Sequence, residues 1–395
     1  MSGAPPLAGL RVVDLTRYLA GPFCTQLLAD YGADVVRVES VRGREFADAE
    51  GRDTYFFLTA NRGKRSIALD LRSAGGRRIV ERLLEGADVL VENFRPGVLE
   101  ALGLDPQRLR TQHPRLVIAR ISGFGSTGPY RDRPGFDQIA QGMSGLMALT
   151  GTVESGPTRS GIAISDVLGG MFAAQGIAWA LLARERTGQG QVVEASLLEA
   201  SLGVLTWGAG RFFERGENPG PAGQHHPLSS PYGRFRARDG YLNIAAGNDA
   251  MWRKVADVLG HPEWCGDLRF ATPARRVRAR DALTAEIERV LAGRDVADWV
   301  TAFNDAGVPC GPVLSIEEVF RDPQVLARDM LVEMAHPTLG TIRGTGLPVK
   351  LSESPGRIDR PPPLHGEHGA EILREAGFDS EAIDALRAAG AVKLP

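Results

Sequence analysis

One carboxylate stands apart because of the residues around it. Asp166 lies in the segment GIAISDVLGG, directly before residues 167–183, a run without a charged side chain. An Asp at a helix start accepts backbone N–H bonds at the positive end of the helix dipole, which predicts that its carboxylate stays ionised. Gly169 and Gly170 follow in the first predicted turn, where missing side chains let a ligand come close. Taken alone, these residues are more typical of an ordinary N-cap on a buried helix than of a reactive group.

The composition is that of a globular protein. The 395 residues are 43% hydrophobic and 24% charged, which suits two domains or one elaborated domain. A formal net charge of −2 gives no electrostatic reason to expect nucleic acid or a membrane surface as a partner. Cys24, Cys265 and Cys310 lie far apart, lack metal-ligand spacing and follow no secretory segment, which predicts no metal site and a cytoplasmic location. Glycine and glutamine breaks in residues 167–183 favour a buried core helix over a membrane span.

Residues 10–125 alternate between strand and helix patterns. The predicted strands are residues 10–15, 33–39, 66–71, 87–91 and 115–121, and the predicted helices are 21–31, 74–84 and a short one after Pro96. This alternation indicates a mostly parallel sheet covered on both faces, in an α/β fold. Ligands of such sheets bind beyond the carboxyl ends of the strands, and the loops there carry several cations.

One glycine motif is misleading. Gly123, Gly125 and Gly128 spell G-x-G-x-x-G directly after a predicted strand, the spacing of a dinucleotide fingerprint. Pro129 and Pro134 follow closely, so no helix can begin there to hold a pyrophosphate at its N-terminus. The sequence therefore predicts a glycine-rich loop that approaches a ligand, and not a nicotinamide site.

The composition changes near residue 214. Prolines, glycines and the adjacent His225 and His226 are typical of a loop, which we favour over a metal site or an acid/base pair. A strand at 241–246 and helices at 249–259, 278–291 and 296–306 then predict a small α+β domain. Two short helices, 370–376 and 380–389, end the chain and are expected to pack on its body.

Several segments in order resemble one known family, the class III CoA-transferases, which includes formyl-CoA transferase and the carnitine CoA-transferases. They are LAGLRVVDLTRYLAGPFCTQLLADYGADVVRVE, NRGKRSIALDL, ADVLVENFRPGVLEALGL, SGFGSTGPY, GIAISD, TGQGQVVEASL, GVPCGPV and HGEHGAEIL. The resemblance runs from the N-terminus to the tail. It implies a Rossmann-like large domain built from both chain ends, a small α+β domain, and two chains interlocked as a homodimer. The domains expected are 1–200 for the large domain, 201–232 for a linker and loop, 233–310 for the small domain, and 311–395 for the return.

The resemblance implies a covalent role for Asp166. A CoA-transferase moves CoA from an acyl-CoA donor, such as succinyl-CoA, to a carboxylic acid acceptor through an aspartyl anhydride and an aspartyl-CoA thioester. The backbone N–H groups of Gly169 and Gly170 are then expected to stabilise the oxyanion. Acyl-CoA, small carboxylic acids and a second copy of the chain are the implied partners. CoA is a substrate, and no permanently bound cofactor is implied.

The resemblance to formyl-CoA transferase implies contacts to CoA at the matching positions of this chain. Those expected along pantetheine are Tyr18, Leu19 and Ala20, and those expected around the nucleotide are Asn93, Phe94 and Val98. Ser40 and Ala101 depart from the pattern, because the relative has an Arg at each position. The cations that could replace them near the phosphates are Arg42, Arg44, Arg62, Lys64, Arg65 and Arg95, of which Arg42 and Arg95 are predicted contacts.

Two other function classes stay open at this point. α-Methylacyl-CoA racemase shares the resemblance and the Asp, but it places a His-Asp pair after the glycine loop, where this chain has Phe136 and Asp137. Without that His the two-base mechanism loses a partner, which favours the transferase over a racemase or a related CoA isomerase or lyase. A non-catalytic CoA-binding protein is the third alternative. Arg17, Phe136, Asp137 and His226 are predicted to contact the acid substrate.

Overall fold

The computed structural model describes residues 3–44, 48 and 53–395, which form two compact units. The first unit combines Met1–Leu146, Arg159–Gly210 and Ala327–Pro395, and the second combines Met147–Thr158 and Arg211–Leu326. Both ends of the chain thus belong to the first unit. The domain limits drawn from the sequence remain predictions, because contacts within a unit do not test whether it folds independently.

The strands of the described residues vary in length, and only the first six and the last join the large sheet. They are β1 (Arg11–Asp14), β2 (Asp34–Ser40), β3 (Lys64–Leu69), β4 (Val89–Glu92), β5 (Val117–Ser122), β6 (Val192–Ser196), β7 (Tyr232–Arg236), β8 (Tyr241–Ala245), β9 (Cys310–Pro312), β10 (Leu331–His336), β11 (Gly340–Thr345) and β12 (Val392–Lys393).

The helices connect these strands. They are α1 (Ala20–Asp30), α2 (Tyr55–Leu58), α3 (Ala74–Glu85), α4 (Val98–Ala101), α5 (Pro106–Gln112), α6 (Asp137–Met143), α7 (Leu146–Leu149), α8 (Ile164–Thr187), α9 (Leu197–Gly203), α10 (Thr206–Arg215), α11 (Asp249–Val258), α12 (Pro273–Arg278), α13 (Arg280–Leu291), α14 (Val296–Asp305), α15 (Ile316–Val319), α16 (Pro323–Ala327), α17 (Gly369–Glu375) and α18 (Ser380–Ala388). A 3-10 helix covers Pro262–Cys265.

The large sheet confirms the predicted α/β fold. Its strand order is β12-β3-β2-β1-β4-β5-β6, and every neighbouring pair is parallel except β12 with β3. The switch in strand order lies at β1, between β2 and β4, where loops after neighbouring strands diverge to open a crevice. The carboxyl end of β1 is therefore the expected place for a ligand.

Both faces of this sheet are buried, because alternate residues of each strand point to opposite sides. Val13 and Leu90 belong to a hydrophobic cluster completed by α3, α5, α17 and α18. Their sequence neighbours Val12 and Val89 belong to the opposite cluster, which α1 and α8 complete. Strands with two covered faces read as continuous apolar runs, which is why the sequence revealed them.

A charged group is buried directly under the end of β1. The Asp14 carboxylate accepts hydrogen bonds from Lys64 Nζ at 3.1 Å and from the hydroxyls of Thr16 and Thr25 at 2.5 and 2.6 Å. Both Asp14 and Lys64 are inaccessible to solvent. Buried charges persist when they are paired and hydrogen-bonded, so this cluster fixes α1 against the end of β1 and the start of β3.

Helix α8 is longer than predicted and is buried on one face only. It begins at Ile164 and packs on α1, α9, β5 and β6. By length and composition it could cross a membrane, as many core helices could. On its other face Trp179 and Leu182 are 63% and 64% exposed. The prediction of a buried core helix therefore holds for one side of α8 in the single chain.

The second unit has its own sheet and core. Strands β7, β8 and β9 pair antiparallel in that order. Helices α11, α13 and α14 pack on them through buried aromatic and aliphatic side chains, among them Trp252, Ile287 and Phe303. The limits of β8, α11 and α14 agree to within about one residue with the elements predicted at 241–246, 249–259 and 296–306.

Candidate active site

Asp166 lies inside the first turn of α8, not before it. The helix begins two residues earlier, and its N-cap residue Ala163 makes no side-chain hydrogen bond. The carboxylate of Asp137 caps the helix instead: it accepts from the Ser165 N–H at 2.8 Å and from Gln141 Nε2 at 2.7 Å. The predicted N-cap role of Asp166 was therefore wrong, because a carboxylate distant in sequence takes that place.

The environment of Asp166 also opposes the expected ionisation of its carboxylate. Burial and, second, the negative charge of Asp137 raise the pKa of Asp166 to about 7. No hydrogen bond reaches the Asp166 carboxylate from any part of the chain that the structure describes. The prediction that capping keeps this carboxylate firmly ionised was wrong, because the stabilising N–H donor is bound by Asp137.

Gly169 and Gly170 serve helix packing. A Cβ on Gly169 would lie 2.7 Å from Leu197 Cδ2, and one on Gly170 would lie 2.5 Å from the carbonyl oxygen of Ala20. Both residues lie in the body of α8, where N–H groups bond to the carbonyl four residues earlier. Their N–H groups therefore have partners within the helix, and the predicted oxyanion role of Gly169 and Gly170 stays a prediction.

Asp166 opens into a cavity of about 310 Å³, which we call the aspartate cavity. It brings together most of the predicted contacts, namely Arg17, Tyr18, Ala20, Asn93, Phe94, Arg95, Val98 and Phe136. Four arginines line it, the other two being Arg131 and Arg133, while Asp166 is the single carboxylate among its lining residues. The cavity is therefore strongly cationic and suited to anions.

The loop after β1 forms one wall and holds a strained residue. Tyr18 has a positive φ of 64°, which is uncommon for a side chain of this size. Its ring meets Phe136 edge to face, with the ring centres 5.7 Å apart. Asn93 fixes the loop, because its Oδ1 accepts from the Arg17 N–H and its Nδ2 donates to the Arg17 carbonyl, both at 2.8 Å. Leu19 caps α1 and lines neither this cavity nor the next one.

A second cavity of about 340 Å³, the arginine cavity, adjoins the first. The two share Arg17, Tyr18, Phe94 and Val98 among their lining residues. The predicted contact Arg42 lies in the arginine cavity, together with Arg37, Arg44 and Arg72. A ligand longer than either cavity can therefore extend through both.

Most of the cations suggested as replacements for Ser40 and Ala101 are bound within the protein. Arg62 pairs with Asp30 at 2.8 Å, and Lys64 pairs with Asp14. The remaining internal pairs are Arg44 with Glu39 and Asp53, and Arg65 with Asp34, Glu371 and Glu375. These side chains have structural partners. Arg42 and Arg95 are the cations of that group that line a cavity without such an ion pair among the described residues.

Sequence reasoning missed Arg37 and Arg72. Arg37 is buried in β2, with its Nη1 3.7 Å from Asp14 and its Nε 4.0 Å from Glu39. Its Nε and Nη1 lack hydrogen-bond partners among the described residues. An unsatisfied buried guanidinium at a cavity is costly unless a ligand completes it. The available signal was a charged residue between the valines in the middle of β2.

His226 belongs to the second unit, where its side chain is already in use. Its ring lies on Tyr232 with centres 4.8 Å apart, and its Nδ1 accepts from the Leu228 N–H at 3.2 Å. The His226 carbonyl accepts from Arg280 at 2.8 Å. It does not line the aspartate cavity. Its predicted contact with the acid stays a prediction.

Comparison with known proteins gives this geometry its context. Residues 7–369 match CoA-transferase family III. The chain belongs to that family. It is 39% identical to a succinate–glutarate CoA-transferase of Agrobacterium fabrum over 386 residues, 94% of this chain and 96% of the relative. It is also 39% identical to an acetyl-CoA:oxalate CoA-transferase of Acetobacter aceti over 376 residues, 94% and 95% of the two chains.

A solved structure agrees with the fold of this family III CoA-transferase. A CaiB/BaiF family protein from Brucella suis superimposes with a TM-score of 0.87 at 39% identity, covering 95% of this chain and all of the other. The family explains why one carboxylate and many cations share a site, since acyl-CoA is a polyanion. In the described part of the chain, no group of three His, Cys, Asp or Glu side chains is placed to hold a metal.

Proposed function

We propose that this CoA-transferase acts through covalent catalysis by Asp166. The supporting observation is a carboxylate without an internal hydrogen-bond partner, placed in a cationic cavity and given a pKa of about 7 by burial and by Asp137. A carboxylate held poorly solvated is a stronger nucleophile than one satisfied by hydrogen bonds. A structural cap would instead have its oxygens engaged, as Asp137 does.

The proposed reaction has two matching halves. The Asp166 carboxylate attacks the donor thioester, which gives a mixed anhydride and CoA thiolate. The thiolate then attacks the aspartyl carbonyl, so the donor acid leaves and CoA remains as an aspartyl thioester. The acceptor carboxylate repeats these steps in reverse and leaves as a new acyl-CoA, which restores Asp166. Each exchange is close to thermoneutral, because the nucleophile and both substrates are carboxylic acids.

The relatives suggest the class of acid. Their names specify succinate, glutarate and oxalate, which are all dicarboxylic acids. An aspartate cavity with four arginines carries more positive charge than one reacting carboxylate requires. We therefore propose small dicarboxylic acids as substrates, with succinyl-CoA as a donor.

CoA is proposed to extend through both cavities. Its nucleotide phosphates would lie in the arginine cavity, near Arg37, Arg42 and Arg72, and its thioester near Asp166. The pantetheine would pass Tyr18 and the other shared residues. This arrangement supplies cations in place of the two positions where formyl-CoA transferase has arginines.

Trapping of the covalent intermediate tests the proposal. Incubation with succinyl-CoA and no acceptor, followed by hydroxylamine, is expected to convert Asp166 to a hydroxamate that peptide mass spectrometry detects. The same peptide from protein without succinyl-CoA is the control. Exchange of the α-proton of an acyl-CoA in heavy water, with no trapped peptide, would instead support a racemase.

Self-association is proposed through the exposed face of α8. Met171, Trp179 and Leu182 are half exposed or more on this helix, and Ile139 and Met143 extend the patch on α6, which packs beside it. An apolar surface of this kind on a water-soluble chain is typical of a protein interface.

A charge placed in this patch is expected to prevent the dimer. Trp179→Asp puts an unpaired carboxylate where apolar side chains would meet, and the partner would have to desolvate it. Light scattering is expected to give a dimer mass for the natural chain and a monomer mass for the variant. Glu185→Gln, on the same helix but in the exposed last turns, is the matched control. A monomer for the natural chain would contradict the proposal.

A further inference from the structure

We propose that Arg133 binds the second carboxylate of a dicarboxylic acid, the one that does not react. The inference rests on the proposed function, because it assumes that the acid reacts at Asp166 in the same cavity. Arg133 would then determine the preference for dicarboxylic over monocarboxylic acids.

Arg133 is held in place by aromatic rings. Its guanidinium carbon lies 3.8 Å from the centre of the Tyr130 ring, and the backbone N–H of Arg133 donates to the Tyr130 carbonyl at 2.9 Å. Tyr130 in turn packs edge to face on Phe124, with centres 5.9 Å apart. A guanidinium held over a ring face still has its planar set of N–H donors, which can bind both oxygens of a carboxylate.

Arg133 has no carboxylate partner among the residues that the structure describes. Its neighbour in the loop differs, because Arg131 pairs with Asp132 at 3.1 Å. Arg17 lines both cavities, which places it on the proposed path of CoA. Of the arginines on this loop, Arg133 is therefore the one whose charge is available to a ligand.

The chemistry of transfer explains why such a cation is needed. The reacting carboxylate of the acid loses its charge when it becomes a thioester. The second carboxylate keeps its charge in the free acid, in the anhydride and in the acyl-CoA. A counter-ion for the second carboxylate must therefore be present throughout the reaction. The binding energy between that carboxylate and the counter-ion is then the same in the ground state and in the transition state. Such uniform binding lowers KM and leaves kcat nearly unchanged.

The test compares acids of equal length with one and two carboxylates. With one donor at saturation, kcat/KM is measured for glutarate and for pentanoate in the natural protein and in Arg133→Gln. The variant is expected to lose at least about 10-fold in the glutarate to pentanoate ratio, mainly through the KM for glutarate. Arg133→Lys should retain part of the preference, because it keeps the charge but not the planar pair of donors.

Variants of the neighbours complete the experiment. Tyr130→Phe keeps the ring and should keep the ratio, whereas Tyr130→Ala should lower it in part. Arg131→Gln should have a smaller effect than Arg133→Gln, and Arg82→Gln, at an exposed position of α3, should have none. A ratio within twofold of the natural value in Arg133→Gln overturns the inference, as does an equal loss for both acids, which would indicate binding of CoA phosphates.

The two proposals can fail separately. Hydroxylamine trapping with succinyl-CoA at saturation reports on Asp166, and it should remain positive in Arg133→Gln. A negative result in the natural protein refutes covalent catalysis, whereas the ratio of the two acids refutes or supports the role of Arg133.

Discussion

Replacement of Asp166 by alanine is expected to reduce CoA transfer by at least about 10³-fold, as removal of a covalent nucleophile does in other enzymes. The loss follows because, among the described residues, no other carboxylate lines the aspartate cavity. Transfer from succinyl-CoA to glutarate, followed by chromatography of the CoA esters, measures it. Hydroxylamine should trap no adduct on the variant.

Binding of CoA should survive the same substitution. The proposed phosphate contacts lie in the arginine cavity, away from Asp166. Calorimetric titration with CoA is therefore expected to give a dissociation constant within a few fold of the natural value. Glu185→Ala, on the exposed end of α8, is the matched control and should transfer CoA normally. Transfer that persists in Asp166→Ala would exclude the covalent route.

The rate of adduct formation should increase with pH through the neutral range. Asp166 must be ionised to attack, and burial together with the Asp137 charge raises its pKa to about 7. Below this pH the ionised fraction falls about tenfold per unit, so the rate at pH 5 should be near one hundredth of its plateau. Rapid-quench measurement of the adduct at saturating succinyl-CoA gives the profile.

Asp137→Asn separates the two causes of this shift. It removes the charge but can retain an oxygen acceptor for the Ser165 N–H. The midpoint of the profile is expected to move to lower pH, because only burial then opposes ionisation of Asp166. An unchanged midpoint would show that the Asp137 charge does not contribute to the shift. A midpoint near the usual pKa of an Asp would show that the Asp137 charge raises the pKa of Asp166 more than burial does.

The sheet was predictable because its strands are simple in sequence. β1 to β5 are short apolar runs between turn signals, and their limits were predicted to within a few residues. The pairing of β10 with β11 was not predicted, since residues 331–345 alternate too weakly to separate a hairpin from a loop. β6 was recognised only as part of a family motif.

The site was less predictable, because its details depend on residues far apart in sequence. The sequence singled out Asp166, whose carboxylate lines the aspartate cavity, but the predicted N-cap role and the predicted ionisation of this carboxylate were wrong. The reason is that Asp137, which lies 28 residues before Ser165, accepts the hydrogen bond from the Ser165 N–H. Periodicity cannot show which of two carboxylates caps a helix. The sequence likewise does not show which arginines pair with a carboxylate of the protein and which are available to a ligand, because the partners are distant in sequence.

Burial of Asp166 also affects the free energy of folding. Its ordinary pKa is 3.8, and burial with the Asp137 charge raises the folded value to about 7. The folded protein therefore holds this proton more tightly. Asp166 by itself costs no folding free energy below about pH 3.8, and its ionisation destabilises the fold progressively as the pH rises to about 7. The penalty approaches roughly 4 kcal/mol, reduced by solvent screening at the cavity mouth. The proposed aspartyl thioester has no such charge. Formation of the thioester would therefore remove the free-energy penalty that the ionised Asp166 imposes on the free enzyme.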